Sequence, residues 1–184
     1  MQTGRKPKET SVSPNELTNW SYSSIKTLMG CMRSWYIQYV MKEKTPSGEA
    51  ASFGSAFDQN VLKAFGATVD KKEEPVKLDE ETAKQVQSAV EFYALQPQSQ
   101  PWRGCRGQVK IEITPEEWSE YADIYGVESR IRVPFIGYID MLRQDGVQVE
   151  LTDLKTSSRA EFRPEWVLQQ TLYALPTRAS VCHT

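Results

Sequence analysis

The sequence predicts an α/β protein of the α+β kind, with a central mixed β-sheet flanked by helices and a helical N-terminal portion. Two observations support this prediction. Apolar residues recur at helical spacing through much of the first hundred residues and again near residues 164–175. Between these regions, residues 108–114 alternate between apolar and polar types. β-Branched and apolar residues also flank an Asp-Gly pair at residues 145–146, as expected of strands.

The length of 184 residues suggests one domain, which we place at residues 20–184 after a flexible lead-in at residues 1–19. With 39% apolar and 25% charged residues, the composition is that of an ordinary soluble globular protein. No apolar run approaches the length of a membrane span, and the N-terminus has no secretory apolar segment. A cytoplasmic protein without membrane association is therefore the expectation.

The net charge of −2 argues against a surface coated in positive charge, although it allows a local basic groove. Candidates for such a groove are Arg130, Arg132, Lys155, Arg159 and Arg163. The three cysteines, at positions 31, 105 and 182, are odd in number and show no close pairing. This pattern favours free thiols in a reducing compartment.

Three stretches in the first half of the chain have the 3.6-residue apolar period of helices that pack on a core. The first is capped by Ser21 or Ser23 and is predicted to reach Tyr39 as one helix. The second follows a loop at residues 45–48, and the third opens at Asp79. Their predicted core residues are Ile25, Leu28, Met29, Met32, Trp35, Tyr36 and Tyr39; Phe53, Phe57, Val61 and Phe65; and Ala83, Val86, Val90 and Tyr93.

Residues 97–107 are predicted to form a connector. Within it, Trp102 and Arg103 could stack on bases, whereas a packed tryptophan is the alternative. A strand at residues 108–114 and a short helix starting near Pro115 follow. After the last predicted helix, residues 174–184 carry no convincing pattern of a strand or a helix.

The Asp-Gly pair at residues 145–146 predicts a tight hairpin between strands 136–143 and 147–154. If these two residues form the loop, Asp140 faces Leu151, and Asp153 is its diagonal neighbour on the same face of the sheet. Lys155 lies two residues beyond Asp153 and shares that face. The hairpin therefore brings two carboxylates and one ammonium group to one patch.

Two carboxylates on a largely apolar sheet repel each other unless a cation lies between them, because burying unpaired charge is expensive. A hard divalent cation such as Mg²⁺ suits oxygen ligands. A lysine beside it can orient or help deprotonate an attacking water and stabilise charge on a phosphate. The alternative is that Asp153 and Lys155 form an exposed ion pair at the end of a strand.

These residues carry a resemblance to a known family. Gly137 to Asp140, a turn, and then Thr152 to Thr156 resemble the core of the PD-(D/E)XK nucleases in their RecB-like branch, which includes phage exonucleases and CRISPR-adaptation nucleases. The segment from Ser21 to Tyr36 resembles the opening helix of that branch. Gln169 and Tyr173 match its Gln-x-x-x-Tyr segment. The resemblance implies a restriction-endonuclease-like core. Because the family usually continues beyond this point, it also implies a C-terminally shortened or minimal version of that core.

The resemblance implies the following site. The residues implied in catalysis are Asp140, Asp153, Lys155, Gln169 and Tyr173, and the implied metal ligands are Asp58, Asp140, Asp153 and the Leu154 carbonyl. Asp58 stands where the family commonly has a metal-binding histidine, so a surface or helix-capping aspartate is the alternative. Glu112 is a further candidate ligand, against the alternative of a solvent-facing strand residue.

The implied function is metal-dependent hydrolysis of phosphodiester bonds in DNA, with an exonuclease favoured, during recombination, repair or phage DNA processing. The implied cofactor is Mg²⁺ or Mn²⁺. No iron–sulfur cluster is expected, because three cysteines cannot supply four ligands. The implied partners are DNA and a helicase or single-strand annealing protein, in the cytoplasm of a bacterial or phage-infected cell. The alternative is a catalytically inactive nuclease-fold module that binds nucleic acid or a protein.

Overall fold

A computed structural model describes residues 17–43, 48–71, 73–124, 126–156 and 164–183. Its centre is a five-stranded mixed sheet in which the strands follow one another in chain order. The first and last pairs of strands are parallel, and the two pairs between them are antiparallel. The strands are β1 (Thr68–Val69), β2 (Arg106–Ile113), β3 (Phe135–Asp145), β4 (Gln148–Thr152) and β5 (Val181–His183). The predicted α/β architecture is confirmed.

Helices flank this sheet. They are α1 (Tyr22–Gly30), α2 (Met32–Trp35), α3 (Glu49–Ala64), α4 (Glu80–Leu95), α5 (Pro115–Ile124) and α6 (Pro164–Thr177). A π-helical turn, Tyr36–Val40, follows α2, and a 3₁₀-helix, Pro97–Trp102, follows α4. Within the described ranges, none of these helices has the length and apolar character needed to cross a membrane.

Two apolar clusters form the core, and β3, the strand that carries Asp140, passes between them. One cluster joins α3 and α4 to Met141 of β3, and the other joins α1 and α6 to Ile139 of β3. Val61, Val86 and Val90 are at most 4% exposed, which confirms the core faces predicted for α3 and α4, although Ala83 is exposed. Asp140 therefore lies between the two β3 residues that anchor the two clusters.

The prediction of one continuous N-terminal helix is wrong. Ser21 caps α1 through a reciprocal pair of hydrogen bonds with Ser24, but the helix ends at Gly30, and Cys31 adopts an extended conformation. The axis therefore changes at this point, and the apolar stripe does not continue across it. Met29 and Met32, predicted to be buried, are 73% and 72% exposed.

The hairpin forms where predicted, but its register is two residues away from the predicted one. The loop is Gly146-Val147, and the ladder pairs Asp145 with Gln148 and Met141 with Thr152. Gly146 has a φ of +59°, whereas Val147 has no positive φ; this pattern fits a type II′ turn with glycine at its first position. Continuing the ladder by one residue sets Asp140 opposite Asp153 itself, not opposite Leu151.

The C-terminal segment forms a strand that the sequence did not predict. β5 lies parallel to β4, and the His183 carbonyl accepts hydrogen bonds from Asp153 N (3.1 Å) and Thr152 Oγ1 (3.2 Å). Three residues are too few to show an alternating pattern, so this strand depends on its partner. Its effect is to hold the backbone at Asp153, one residue beyond the end of β4.

Two alternatives left open by the sequence are now decided. Trp102 is 4% exposed and lies within the core, so the packed role is confirmed. Arg103 lies over the ring of Phe65, 5.8 Å from its centroid. Glu112 pairs with Lys110 on the open surface of β2, which confirms the solvent-facing role.

Candidate active site

Three carboxyl groups from three different elements approach one another. Asp140 lies on β3, Asp153 follows β4, and Asp58 lies half-buried in the middle of α3. Asp140 is close enough to Asp153 for a hydrogen bond between their carboxyl groups. The charge of Asp153 also raises the pKa of both Asp140 and Asp58, so all three groups interact. Asp58 therefore neither caps a helix nor lies on the open surface.

Asp140 is oriented by two donors. Its Oδ2 accepts a hydrogen bond from Leu154 N at 2.7 Å, and its Oδ1 accepts one from Gln108 Nε2 at 3.3 Å. The first bond ties β3 to the residue after Asp153, so the backbone at 153–154 is fixed by the carboxyl group it faces. The second bond comes from β2, the neighbouring strand.

Gln108 is a site residue that sequence reasoning missed. It has a φ of +49°, in the left-handed region that is uncommon for a non-glycine residue. The regular ladder pairs its neighbours, Gly107 with Met141 and Val109 with Ile139, but omits the pair it would form with Asp140. Strained backbone of this kind is concentrated at functional sites. A polar residue in an alternating strand gives no such signal in the sequence.

Asp153, Lys155, Gln169 and Tyr173 form one hydrogen-bonded chain. Gln169 Nε2 donates to Asp153 Oδ1 at 2.7 Å and to the Tyr173 hydroxyl at 3.3 Å. Lys155 Nζ donates to Gln169 Oε1 at 3.0 Å, and it contacts Asp153 Oδ2 as an ion pair. The Gln169 amide therefore fixes the carboxylate with its nitrogen and the ammonium with its oxygen. The predicted catalytic residues do come together.

Burial raises the pKa of all three carboxyl groups, and repulsion from a neighbouring carboxylate adds to this effect for Asp58 and Asp140. Burial, followed by the charge of Asp153, raises the pKa of Asp58 to about 7. Burial and the charges of Asp153 and Asp58 raise the pKa of Asp140 well above its usual range. Burial also raises the pKa of Asp153, although Lys155 opposes this effect. The folded protein without a bound cation therefore disfavours the charged form of each of these carboxyl groups.

The donor set fits a hard divalent cation. Across the described ranges, no three His, Cys, Asp or Glu side chains form a complete metal-binding cluster on their own. Mg²⁺, however, is usually bound through one or two carboxylates, with waters completing its shell. Asp140 and Asp153 supply two such carboxylates, with Asp58 nearby, and a bound cation would favour the charged forms that burial disfavours.

Gly137, the first residue of the Gly-Tyr-Ile-Asp segment, makes room for Tyr173. A Cβ at this position would lie 2.6 Å from Tyr173 Cε1 and 3.2 Å from Ile111 Cγ1. The glycine is therefore required by close packing against α6, and it sets the position of the tyrosine that contacts Gln169.

We expect Gly137→Ala to destabilise the protein, because the new Cβ would clash with the Tyr173 ring and with Ile111. Both side chains are buried, so they can make room for the Cβ only by disturbing the core. Overpacking of this kind typically costs about 1–3 kcal/mol, which thermal unfolding would detect. Gly30→Ala is the control, since its Cβ would meet no atom within 4 Å. An unchanged melting temperature for Gly137→Ala would contradict this packing argument.

The candidates for a basic groove lie at different places in the chain. Arg130 is highly exposed and has a loose 3.6 Å contact with Glu128, and Arg132 is exposed as well. Arg159 and Arg163 lie outside the described residues. Of the five candidates, Lys155 is the one that the described structure places at the carboxylates.

A mixed sheet that carries two neighbouring aspartates beside a lysine is the arrangement that the resemblance to the nucleases implies. The family model of the PD-(D/E)XK nuclease superfamily covers residues 19–181, and the chain belongs to that superfamily. Its members are nucleases that generally use divalent metals such as Mg²⁺. No curated protein and no solved structure gives a significant match to the chain.

Proposed function

We propose that the protein is a divalent-metal-dependent deoxyribonuclease that hydrolyses phosphodiester bonds in DNA, and specifically an exonuclease. The observation that carries this proposal is the chain of contacts from Asp140 through Asp153 to Lys155, with Gln169 holding the last two residues. The alternative of an exposed ion pair at a strand end does not explain why Gln169 binds both residues, or why Asp153 is only 4% exposed.

In this proposal Asp140, Asp153 and the Leu154 carbonyl hold a divalent cation, and Asp58 completes its ligands from α3. A cation bound there would supply Lewis-acid stabilisation of the phosphate charge and would make water easier to deprotonate. Leu154 suits this role because its N–H already binds Asp140, which sets the position of the adjacent carbonyl group. The strained Gln108 supports the same carboxylate from the other side.

Lys155 orients the attacking water and stabilises the negative charge that develops on the phosphate. The water oxygen forms a new bond to phosphorus and gives up a proton. The bond from phosphorus to the departing sugar oxygen breaks, and that oxygen takes up a proton. Gln169 is a positioning residue, because it touches both Asp153 and Lys155, and Tyr173 orients Gln169.

The biological setting rests on the resemblance alone. We propose DNA as the substrate and partner, and a role in recombination, repair or phage DNA processing. A helicase or single-strand annealing partner and a cytoplasmic location in a bacterial or phage-infected cell stay predictions. An inactive module that binds DNA or a protein is the competing function, and a cleavage assay separates the two.

The test is cleavage of linear and circular DNA by the purified chain, with Mg²⁺, with Mn²⁺ and with EDTA. We expect cleavage with either metal, none with EDTA, and faster loss of linear than of circular DNA. A folded protein that binds DNA but cleaves neither form would contradict the enzyme and support the binding module. Equal cleavage of both forms would contradict the exonuclease part alone.

A further inference from the structure

A cavity of about 320 Å³ lies directly beside the proposed active site. Asp153, Leu154 and Lys155 line one part of it, so it borders the residues that would hold the reacting phosphate. Its volume is at the lower end of the ~300–1,000 Å³ typical of small-molecule sites. The cavity is thus suited to one small ligand next to the phosphate.

The remaining walls combine aromatic rings with polar side chains. The rings come from Phe57 of α3, Tyr93 of α4 and Trp102, and the polar groups come from Gln98, Thr152 and His183. Every nucleobase has an aromatic face and polar edges, and rings of this kind bind bases without strong sequence preference. The lining is therefore chemically matched to a nucleobase.

Contacts with neighbouring side chains hold the His183 ring in place. The His183 ring packs edge-on against Trp102 at 5.7 Å, and His183 Nε2 lies 3.3 Å from Glu150 Oε2. Arg143 binds the buried Glu150 through two nitrogens, and its guanidinium lies 5.4 Å from the Trp102 ring centroid. These contacts fix the wall that adjoins Asp153, so the cavity is preformed.

A second, more open groove of about 770 Å³ approaches the same place from between α3 and α4. It shares Phe57, Tyr93 and Lys155 with the smaller cavity. Phe92, which is 70% exposed, lines it as well. Lys155 thus lies where an extended aromatic groove meets a single-ligand cavity.

We propose that the small cavity binds the terminal nucleotide of an unpaired DNA strand, while the groove binds the nucleotides that precede it. This inference rests on the proposed nuclease function and adds its substrate class and its product. A base pair would not enter a cavity of this size, so the end must be unpaired. Since one nucleotide occupies the cavity, each hydrolysis adds one water across the terminal phosphodiester and releases one mononucleotide.

The first test uses single-stranded oligonucleotides of one sequence in three forms: linear, circularised, and linear with the terminal base removed from the sugar. We expect the linear form to yield mononucleotides and the circular form to resist cleavage. Loss of the terminal base should lower kcat/KM about tenfold, because stacking is lost. Products several nucleotides long, or equal kcat/KM with and without the terminal base, would overturn the inference.

The second test fills the cavity. Gln98 is exposed on the 3₁₀-helix and lines the cavity, and Gln87 is an exposed glutamine on α4 that lines a different groove. We expect Gln98→Trp to raise the KM for the linear oligonucleotide about tenfold, and Gln87→Trp to leave it within twofold. Equal behaviour of the two variants would overturn the assignment of the cavity.

Two readouts separate this inference from the proposed function. Mn²⁺ binding by titration calorimetry and the melting temperature should match the wild type in both tryptophan variants, since neither glutamine contacts the carboxylates. If the wild type cleaves no DNA at all, the proposed function itself fails. If the wild type cleaves DNA but ignores the terminal base and the Gln98 substitution, only the cavity inference fails.

Discussion

Lys155→Ala is expected to lower the cleavage rate by about 100- to 1,000-fold, comparable to the removal of one preorganised charge-stabilising donor. The ammonium is held between Asp153 and Gln169, so its charge lies directly at the carboxylate. The loss should fall on kcat, since Lys155 acts on the charge that develops during the reaction. Single-turnover cleavage of a labelled oligonucleotide in saturating Mg²⁺ measures it.

The matched control for this substitution is Lys110→Ala. Lys110 also pairs with an acidic residue, Glu112, but does so on the open surface of β2. Its removal should leave cleavage within about twofold, because exposed ion pairs contribute little. Mn²⁺ binding should survive in Lys155→Ala, since the carboxylates remain. Wild-type cleavage by Lys155→Ala would exclude the proposed role of the lysine.

The elements that the sequence predicted well are those whose pattern extends over several turns. α3 and α4 each run for 16 residues, and their apolar faces could be read because a core helix repeats its signal. The prediction of one continuous first helix was wrong because no proline marks the break at Cys31, and the Gly30 that precedes it is also tolerated inside helices. Periodicity alone does not detect a change of axis between two short helices.

The hairpin illustrates the limit of local turn rules. Asp145-Gly146 is the stronger turn signal in the sequence, yet Gly146 occupies the first loop position, and Val147 completes the loop, fully exposed. Both registers keep the same residues facing inward, since they differ by two residues. The alternation of apolar and polar residues therefore could not choose between them. The observed register brings Asp140 and Asp153 closer than the predicted one.

The site was predictable as a set of residues but not as a geometry. Asp153, Lys155, Gln169 and Tyr173 follow one another in chain order, so a motif can identify them. Gln108 of β2 donates to the Asp140 carboxylate, and the His183 carbonyl of β5 accepts from the backbone N–H of Asp153; both are tertiary contacts. Their residue types carry no signal of that role, because any residue has a carbonyl and surface glutamines are common.

Asp140→Asn is expected to abolish cleavage and yet to stabilise the protein when no metal is present. At neutral pH the Asp140 charge is disfavoured in the folded state, since burial and the charges of Asp153 and Asp58 raise the pKa of its carboxyl group. Replacing that charge by a neutral amide therefore favours folding. The amide oxygen can still accept from Leu154 N, and the Gln108 amide can turn its oxygen toward the new N–H group.

The measurement is thermal unfolding in EDTA and in Mg²⁺, with Asp145→Asn as the control at the exposed end of β3. In EDTA we expect Asp140→Asn to melt above the wild type, by about 2–4 °C for each kcal/mol gained. Mg²⁺ should stabilise the wild type and Asp145→Asn by binding the folded state, but should not stabilise Asp140→Asn. A variant that melts lower in EDTA, or that Mg²⁺ stabilises as much as the wild type, would show that Asp140 is a structural acceptor and not a metal ligand. The opposite signs in the two buffers arise because the charge that opposes folding of the metal-free chain is the charge that would hold the cation.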